Sequence, residues 1–410
     1  MTPSPPRSCD VLVIGAGPAG SACAQALAEG GVDVVLADQH DFPRDKVCGD
    51  GLIPDAHAAL KRLRVHDEVM GQAQRVQRVG CIGPRGGRVD VPGTLAVLPR
   101  RVLDDILWRS ALRSGAAPLT PWRFEAPLVD DGRVAGVRLR SGGEVREVAA
   151  RWVVLATGAV PQALIAAGVC RRRTPSAVAL RGYVRHDGLA GRLDAMEVVW
   201  HRRLKRGYGW IFPCRDGVFN VGVGLVHSHA AGADGRATMA DVNLRAMLAA
   251  FAEVHAPARE LLERGTPVGE VKGAPLRCSL GGADWSRPGL LVTGEAAGST
   301  YAFTGEGIGK AMETGLLAAQ ALVRQRREGL DDAATRAAYA DALNALAPRF
   351  AMYERANRVN EHPWLADLVI WRARRTPALV RRMAGVLDET ADPGRLVSLR
   401  GVAKLFLPMR

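Results

Sequence analysis

The sequence has few features of a disulfide-stabilised or metal-binding chain. Its seven cysteines, at positions 9, 23, 48, 81, 170, 214 and 278, include no CxxC pair and no metal-site spacing. Because seven is odd, a complete disulfide framework would leave one thiol over, so we expect a reducing, cytoplasmic compartment. The 410 residues, 48% hydrophobic and 24% charged, are enough for two or three structural units with a large core. This composition excludes a disordered or collagen-like protein.

Nucleic-acid-binding motifs are also missing, although the chain is strongly basic. It has 55 lysines and arginines against 42 acidic residues, a net charge of +13, and only six of the 55 are lysines. Between Ile370 and Arg410 there are nine basic and three acidic residues. Such a segment can meet anionic lipid or an acidic protein, whereas the lack of an aromatic-interleaved basic patch argues against nucleic acid.

Long apolar runs are rare. The first nine residues contain one arginine and no apolar stretch, so we expect no secretory signal. Residues 152–170 carry no charge and approach the length of a membrane span. Gly158, Pro161 and Gln162 interrupt the run, and its first half is β-branched, which favours a buried strand, a tight turn and a short helix. We therefore expect a cytoplasmic protein that can lie peripherally on the inner face of the membrane.

The segment 10–39 has the pattern of one βαβ unit. Two short apolar, β-branched runs flank a helical segment, and Gly15, Gly17 and Gly20 between them have GxGxxG spacing. Such glycines allow the tight turn, the approach of a pyrophosphate to the backbone around Ala19, and close packing of helix on strand. Asp38 ends the second run, where a carboxylate can accept ribose hydroxyls. Together these features predict a dinucleotide site.

The later part of the chain favours FAD as that dinucleotide. Residues 290–315 contain a strand, Glu295 after a glycine, a loop with Gly305 and Gly307, and a helix. A second contact of this kind is typical of flavin enzymes: Glu295 reaches the ribityl hydroxyls, and the helix start stabilises negative charge at the flavin N1/O2 edge. Gly158 offers a third backbone approach. No second GxGxxG follows a strand, which argues against a dedicated nicotinamide domain.

Since these segments must meet on one cofactor, the predicted fold is α/β, with a discontinuous Rossmann-like FAD-binding domain, a sheet-rich substrate domain and a helical C-terminal section. The alternating pattern in 178–185 and the paired runs 208–213 and 218–224 predict strands in the substrate domain. Helical breaks are expected at Pro348, Pro363, Pro377 and Pro393. The expected segments are 8–75, 99–170 and 276–325 for the FAD-binding domain, 76–98 and 171–275 for the substrate domain, and 326–410 for the helical section.

Four segments resemble the geranylgeranyl reductase family of flavoproteins, which includes menaquinone reductases and belongs to the p-hydroxybenzoate hydroxylase-like group. They are the fingerprint with Asp38, the PxxKxCG signature in 42–52, the YxWxFP and GxG pattern in 208–224, and the GEAAGSTYAFTGEG run at 294–307. They follow the family's order over 10–315. Two positions depart from the family pattern: Glu295 replaces its usual aspartate, and Ala302 its usual proline. Both are expected beside the isoalloxazine, so we expect them to affect the substrate and the chemistry rather than FAD binding.

The signature loop predicts a reactive group. The Lys46 ammonium favours a thiolate at Cys48, and the flanking glycines, including Gly49, allow the loop to approach the flavin ring closely. The resemblance implies that Cys48 donates a proton or positions the substrate, whereas a buried apolar filler is the alternative. The resemblance also implies that Arg100, or its neighbour Arg101, reaches the phosphate–ribose part of the cofactor.

Tyr208, Trp210 and Phe212 alternate along a predicted strand, so all three project from one face. Such a face either walls an elongated apolar substrate pocket or packs against another sheet. His57 and the pair His227 and His229 have no ligand partners at suitable spacing, and we expect ordinary roles for them.

The resemblance implies a reductase that transfers hydride from reduced FAD to isolated C=C bonds of a polyprenyl lipid, with NAD(P)H or a ferredoxin-like protein as electron donor. The alternative is a monooxygenase that hydroxylates an aromatic small molecule or a protein-bound side chain through a flavin C4a-hydroperoxide. A halogenase would be expected to carry a WxWxIP segment, which the sequence lacks. A third hypothesis is an FAD-binding protein without catalytic activity.

Overall fold

Two mixed eight-stranded sheets organise the computed structural model, which describes residues 7–204, 206–226, 243–398 and 401. The strands are β1 (Ser8–Ile14), β2 (Val34–Ala37), β3 (Gly51–Leu52), β4 (Gln74–Ile82), β5 (Arg88–Val97), β6 (Ala117–Leu119), β7 (Arg123–Asp130), β8 (Arg133–Ser141), β9 (Glu144–Leu155), β10 (Ala177–Arg185), β11 (Met196–Val199), β12 (Gly207–Pro213), β13 (Val218–Val226), β14 (Thr266–Leu276), β15 (Ser286–Arg287) and β16 (Leu290–Val292). The helices are α1 (Pro18–Glu29), α2 (Pro54–Arg62), α3 (His66–Gln72), α4 (Arg100–Arg113), α5 (Gln162–Ala166), α6 (Leu244–Val254), α7 (Ala256–Arg264), α8 (Ile308–Glu328), α9 (Asp332–Ala356), α10 (Arg358–Glu361), α11 (Trp364–Ala373), α12 (Pro377–Leu387) and α13 (Pro393–Leu396). Two 3-10 helices span Asp187–Leu189 and Gly294–Ala297.

The first sheet is the Rossmann-like one. Its main path runs β15-β16-β9-β1-β2-β6, and β7 and β8 extend from β9. Strands β16, β9, β1, β2 and β6 are parallel along this path. Their residues are buried on both faces, as in Leu12 and Val13 of β1, because α1, α8 and α9 cover one face and β7 and β8 the other.

The second sheet has the order β14-β10-β13-β12-β11-β4-β5-β3 and is antiparallel except for the β11–β4 pair. Helices α6 and α7 pack on one face, where Phe251 shares a buried cluster with Ile211 and Val223. The other face meets α11, α12 and α13. The predicted architecture, with its FAD-binding sheet, second sheet and C-terminal helices, is confirmed.

The assignment of residues to domains stays a prediction, and two elements fall differently from its boundaries. β3 lies within the segment 8–75 but pairs with β5 of the second sheet, and β4 begins at Gln74, two residues before the boundary at 76. Both differences arise because a strand is assigned by its pairing partner, which the local sequence does not contain.

One predicted helical break is wrong. Pro348 lies inside α9, although Pro363, Pro377 and Pro393 each stand at or next to a helix start. A proline costs the helix one hydrogen bond, but Leu343, Leu346, Phe350 and Tyr353 bury one side of α9 in the first core and hold its two halves together.

Residues 152–170 form the end of β9, a turn and α5, as expected from their β-branched half and their central glycine and proline. Within the described ranges, every helix falls short of the length and apolar character that crossing a bilayer requires.

Candidate active site

The turn between β1 and α1 packs closely against the neighbouring backbone. Gly15 has a φ of +99°, and a Cβ there would lie 2.4 Å from the carbonyl oxygen of Ala156. A Cβ at Gly20 would lie 1.7 Å from the carbonyl oxygen of Gly15. Only glycine allows α1 to begin this close to the strand, so both positions serve backbone packing.

Gly17 provides the opening that a diphosphate needs. It precedes α1, whose start has no side-chain cap. A Cβ at Gly17 would meet the guanidinium nitrogens of Arg44 and Arg100 at 3.6 and 3.7 Å. An uncapped helix start between two cations fits the diphosphate of FAD, which such helix ends and guanidinium groups bind well.

Asp38 is fixed at the wall of this opening. Its Oδ2 accepts the backbone N–H of Ala16 at 2.8 Å, and its Oδ1 accepts that of His40 at 3.0 Å. The Arg44 Nε lies 3.6 Å from Oδ1. A carboxylate oxygen has more than one acceptor site, so Asp38 keeps capacity for a ribose hydroxyl.

The later cofactor segment packs directly on the first. A Cβ at Gly294 would lie 2.5 Å from the Cβ of Ala19, and one at Gly315 would lie 2.2 Å from the Ala19 carbonyl oxygen. Glu295 follows in the 3-10 helix and accepts the hydroxyl of Thr300 at 3.3 Å. The acid expected at the ribityl chain is thus held beside the start of α1.

The loop before α8 joins the two sheets. Gly307 precedes the helix, and Gly305 has a φ of +70°. A Cβ at Gly305 would lie 2.8 Å from the hydroxyl of Tyr208, which donates to the carbonyl of Thr304. The expected flavin edge therefore meets β12 of the second sheet.

A cavity of about 940 Å³ extends along these elements. The predicted site residues that line it are Gly15, Gly17, Ala19, Asp38, Lys46, Cys48, Gly49, Arg100, Gly158, Glu295, Gly305, Gly307, Tyr208, Trp210 and Phe212. Gly20 lies behind this lining, against Gly15. The structure brings the predicted residues to one place, and their individual roles stay predictions.

The expectation of a Cys48 thiolate is wrong. Burial and the charge of Asp50 raise the pKa of the Cys48 thiol, and the opposing charges of Arg100 and Lys46 do not compensate. The sequence suggested a thiolate because Lys46 is close in the chain, whereas the carboxylate two residues away has the larger influence. Cys48 is a thiol at neutral pH, which suits a proton donor better than a nucleophile.

Of the two candidate arginines, Arg100 faces the cavity. Its side chain donates to both carboxylate oxygens of Asp104, at 2.6 and 2.8 Å, and also interacts with Cys48. Arg101 is exposed. Arg100 thus lies between the opening at Gly17 and the Cys48 thiol.

The three aromatic residues of β12 share one face, as expected. Neighbouring rings are 6.2 Å apart for Tyr208 and Trp210 and 6.3 Å for Trp210 and Phe212. The Trp210 Nε1 donates to the Oδ1 of Asn220 at 2.9 Å, so its polar atom has a partner outside the cavity lining. A Cβ at Gly49 would lie 3.3 Å from the Phe212 ring, which places the aromatic face directly over the Cys48 loop.

Sequence reasoning missed several residues of the site. Arg44 pairs with Asp38 and with Asp104, whose carboxylate lies 3.0 Å from the Arg44 Nη1. Asp50 is fully buried below the Cys48 loop, where burial raises its pKa to about 6. Both residues belong to the signature 42–52, but no spacing rule points to their partners.

A second acidic residue lies at the flavin end. Burial and the nearby Asp55 carboxylate raise the pKa of Glu306 to about 8. Lys310 lies behind it, 3.6 Å from the Oδ2 of Asp55 and 2.8 Å from the Oε1 of Glu389. Glu389 belongs to the C-terminal section, so this cluster ties that section to the FAD-binding side.

His57 is an ordinary buried residue, as expected. Its Nδ1 lies 3.2 Å from the Nε2 of His66, and burial lowers its pKa to about 4. His227 and His229 lie outside the described residues.

Comparison with protein families gives a match over residues 8–207 to the FAD binding domain. The chain is 32% identical to a menaquinone reductase of Mycolicibacterium smegmatis over 76% of its own length and 75% of the relative's. It is 28% identical to digeranylgeranylglycerophospholipid reductase 1 of Methanopyrus kandleri, over 78% and 81% of the two chains.

Two solved structures show how widely the fold is used. A geranylgeranyl bacteriochlorophyll reductase-like protein from Thermoplasma acidophilum superposes with a TM-score of 0.74 at 20% identity, over 98% of this chain and 96% of that one. A flavin-dependent brominase also reaches 0.74, at 18% identity and 97% coverage of both chains. At these identities the structures support the fold alone, so the chemistry has to be argued from the site.

Proposed function

This chain belongs to the geranylgeranyl reductase family of FAD-dependent oxidoreductases, and from this premise we propose that it reduces isolated C=C bonds of a polyprenyl lipid or prenylated quinone. One observation carries the proposal: a single cavity runs from the FAD-binding glycines, past Cys48, to an apolar end. A hydroxylase for a small aromatic molecule needs no such extension.

Bound FAD supplies, when reduced, the hydride that adds to one alkene carbon. The chain's own residues hold the reactants. Gly17, Arg44 and Arg100 bind the diphosphate side, and Glu295 binds the ribityl side. An isolated alkene is unactivated, so its reduction depends on close positioning and on exclusion of water.

Cys48 supplies the second hydrogen. Its Sγ donates a proton to the other alkene carbon, so hydride and proton together convert one C=C bond to CH–CH, and water later returns a proton to the sulfur. The raised pKa keeps the thiol protonated at neutral pH, as this step requires. Phe212 packs on the loop beside it, where an apolar ring helps to exclude water.

The far end of the cavity holds the remainder of the chain. It is lined by apolar side chains from β11 and from the C-terminal helices: Val198, Val369, Ile370, Met383, Leu387 and Leu396. Trp200 and Phe303, whose rings stack with centroids 6.2 Å apart, add aromatic surface to the cavity wall. An elongated apolar cavity with polar groups at one end fits a prenyl chain.

A test follows directly from this division of roles. The purified protein is photoreduced without oxygen, and menaquinone or a digeranylgeranyl lipid is added. We expect the lipid to reoxidise the flavin and its product to gain two hydrogen atoms per reduced bond. Quinones that lack a prenyl chain serve as the control for simple electron transfer to the ring. Reoxidation by oxygen alone, with incorporation of an oxygen atom into an aromatic compound, would instead establish a monooxygenase.

We also propose that the C-terminal section contacts an anionic membrane, from which a lipid substrate would enter. The side chains of Trp364 and Trp371 are 57% and 43% exposed. The Arg375 guanidinium lies 4.9 Å from the Trp371 ring, and Arg381 and Arg382 are exposed on the next helix. Exposed tryptophans among arginines are suited to the interface of an anionic bilayer.

Sedimentation with vesicles tests this contact. We expect binding to vesicles with anionic lipid at low salt, release at high salt, and weaker binding after Trp364→Ala combined with Trp371→Ala. Equal binding to neutral and anionic vesicles would contradict it. We also propose that the electron donor is NAD(P)H or a ferredoxin-like protein. Adding each in turn to the oxidised protein shows which of the two reduces the bound flavin.

A further inference from the structure

Asp50 is a buried carboxylate that the mechanism above does not use. Its side chain has no exposed surface, and its backbone has a φ of +65°. The Oδ2 accepts the hydroxyl of Tyr183 at 2.5 Å and the Nδ2 of Asn220 at 2.8 Å. The Oδ1 lies 3.3 Å from the backbone nitrogen of Arg100. The left-handed backbone and the three donors, which come from three different elements, fix the position of this carboxylate. Such a fixed, buried carboxylate is a candidate for a functional role.

The same contacts join Asp50 to the thiol loop. The Asn220 Nδ2 also donates to the carbonyl oxygen of Cys48 at 2.8 Å, and the Asn220 Oδ1 accepts the Trp210 indole. Loop, carboxylate and aromatic wall therefore form one connected network under the cavity.

The charges around Asp50 have opposite effects on the thiol. Arg100 on α4 and Lys46 in the loop favour a thiolate, whereas the Asp50 carboxylate opposes it. Arg181 and Tyr183 on β10 face Asp50 from the second sheet, and Cys214 lies beyond the end of β12. Among these groups, the carboxylate of Asp50 disfavours loss of the thiol proton.

We propose that Asp50 is the positioning residue that opposes ionisation of the Cys48 thiol, by placing a buried carboxylate beneath a loop whose other acid, Asp45, is paired with Arg181 and Lys272. This role rests on the proposed function, in which Cys48 is the proton donor, but its physical core concerns the thiol alone. Asp50 acts through its charge on the sulfur and through Asn220 on the loop backbone.

The pH dependence of thiol alkylation tests it in the FAD-bound protein without any substrate. Iodoacetamide labelling is followed by peptide mass spectrometry for Cys48 and, as an internal control, for partly exposed Cys170. In Asp50→Asn we expect the Cys48 midpoint to move to lower pH by roughly one unit, with Cys170 unchanged. Asparagine tolerates a left-handed backbone, and Asp50→Gly is a second neutral variant that tolerates it as well.

Tyr183→Phe separates charge from packing. It removes a hydrogen bond of the network but leaves the carboxylate ionised at the alkaline pH of the titration, so its Cys48 midpoint should stay near that of the wild type. A purely structural role would change labelling rates in all three variants without moving the midpoint. An unchanged midpoint in both Asp50→Asn and Asp50→Gly would overturn the proposal.

The activity measurement distinguishes the two proposals. With menaquinone as substrate, the alkaline loss of kcat in Asp50→Asn should move to lower pH by the same amount as the labelling midpoint. If the wild type reduces neither menaquinone nor a prenyl lipid, the proposed function fails, and the labelling midpoints still decide the role of Asp50. If the midpoint moves but the alkaline limb of kcat does not, the role of Asp50 in controlling the thiol is supported, and the proton-donor role of Cys48 in the proposed function is overturned instead.

Discussion

The two ends of the cavity are built in different ways. At the cofactor end, backbone atoms approach one another so closely that a single Cβ at Gly20 would collide with a carbonyl oxygen 1.7 Å away. At the apolar end the wall consists of side chains, such as Val369 and Met383, from helices that follow the FAD-binding segments in the chain. The first end depends on backbone geometry, and the second depends on volume.

This difference indicates where this chain tolerates substitution. Replacing one aliphatic side chain by another of similar size usually costs little stability, whereas adding a methyl group where two backbones touch leaves no room for adjustment. The apolar end can therefore change shape without affecting FAD binding. Cys48 and the loop beneath Phe212 lie where the two ends meet, and changes there should have the largest effect on turnover.

The replacement Cys48→Ala should produce the largest effect. If the thiol donates the proton, turnover in prenyl reduction should fall by about 10²-fold or more, with FAD binding and the flavin spectrum retained. Single-turnover reduction and melting temperature are measured on the same preparation. Cys48→Ser keeps the size of the side chain and should also lose most of the activity, because a hydroxyl is a much weaker acid.

The opposite result has a clear meaning. Full turnover in Cys48→Ala with a modest loss of stability would identify Cys48 as a buried apolar residue. The second hydrogen would then have to come from water or from another acid at the cavity.

At the cofactor end, Asp38→Ala should weaken FAD binding by roughly 1.5–3 kcal/mol, about 10- to 150-fold in Kd, because charge-assisted hydrogen bonds are lost. Titration of the apoprotein with FAD measures the change. Asp41→Ala is the matched control, since Asp41 is exposed and bonds Thr120 outside the cavity. Wild-type affinity in Asp38→Ala would remove Asp38 from the cofactor site.

The difference between the two ends also explains which parts of the site can be predicted from the sequence. The cofactor end is predictable because its constraints are local: glycine spacing fixes the turn at Gly15, and Asp38 follows from its position at the end of β2. The strand pattern places Tyr208, Trp210 and Phe212 on one face for a similar reason. Each of these predictions needs only the neighbouring residues of one element.

The remainder of the site depends on contacts between distant segments. Asp50 lies only two residues after Cys48, but its partners Tyr183 and Asn220 are on β10 and β13. The carboxylate is buried, and affects the thiol pKa, only because the fold brings these strands against it. The protonation of Cys48 was mispredicted for that reason. Likewise, Pro348 is tolerated within α9 because of the packing of that helix, which local helix rules do not contain.

At the apolar end, Met383→Trp should fill part of the cavity beside α12. We expect KM for a long prenyl substrate to rise roughly tenfold, about 1.4 kcal/mol, while FAD affinity stays unchanged. Asp388→Trp places the same ring at an exposed position after α12 and should leave KM unchanged. A change in FAD affinity with Met383→Trp would show that the two ends of the cavity are coupled. It would contradict the expectation that the apolar end can change shape without affecting FAD binding.

The smallest expected effect concerns the pH dependence of stability at Glu306, where the cofactor end meets β12. Burial raises the pKa of this carboxyl to about 8 in the folded protein, so the native state keeps a proton that the unfolded chain has already lost. Its contribution to stability is therefore present at low pH and is lost as the pH rises toward 8. Asp55, whose pKa is raised to about 7, also makes the protein less stable as the pH rises. This contribution of Asp55 should remain when Glu306 is replaced.

Thermal unfolding of the apoprotein at pH 6.5 and pH 9 measures the Glu306 contribution. In Glu306→Gln the decrease in melting temperature over this interval should be smaller than in the wild type, by roughly 1–3 °C. Glu144→Gln, at an exposed position on β9, controls for the loss of one charge. If both variants show the wild-type decrease, Glu306 is ionised at neutral pH in the native state, and the flavin end of the cavity carries a negative charge beside Tyr208. Such a charge would disfavour an anionic reduced cofactor. The pH dependence of the melting temperature in Glu306→Gln therefore also reports the charge that the loop before α8 places near the flavin.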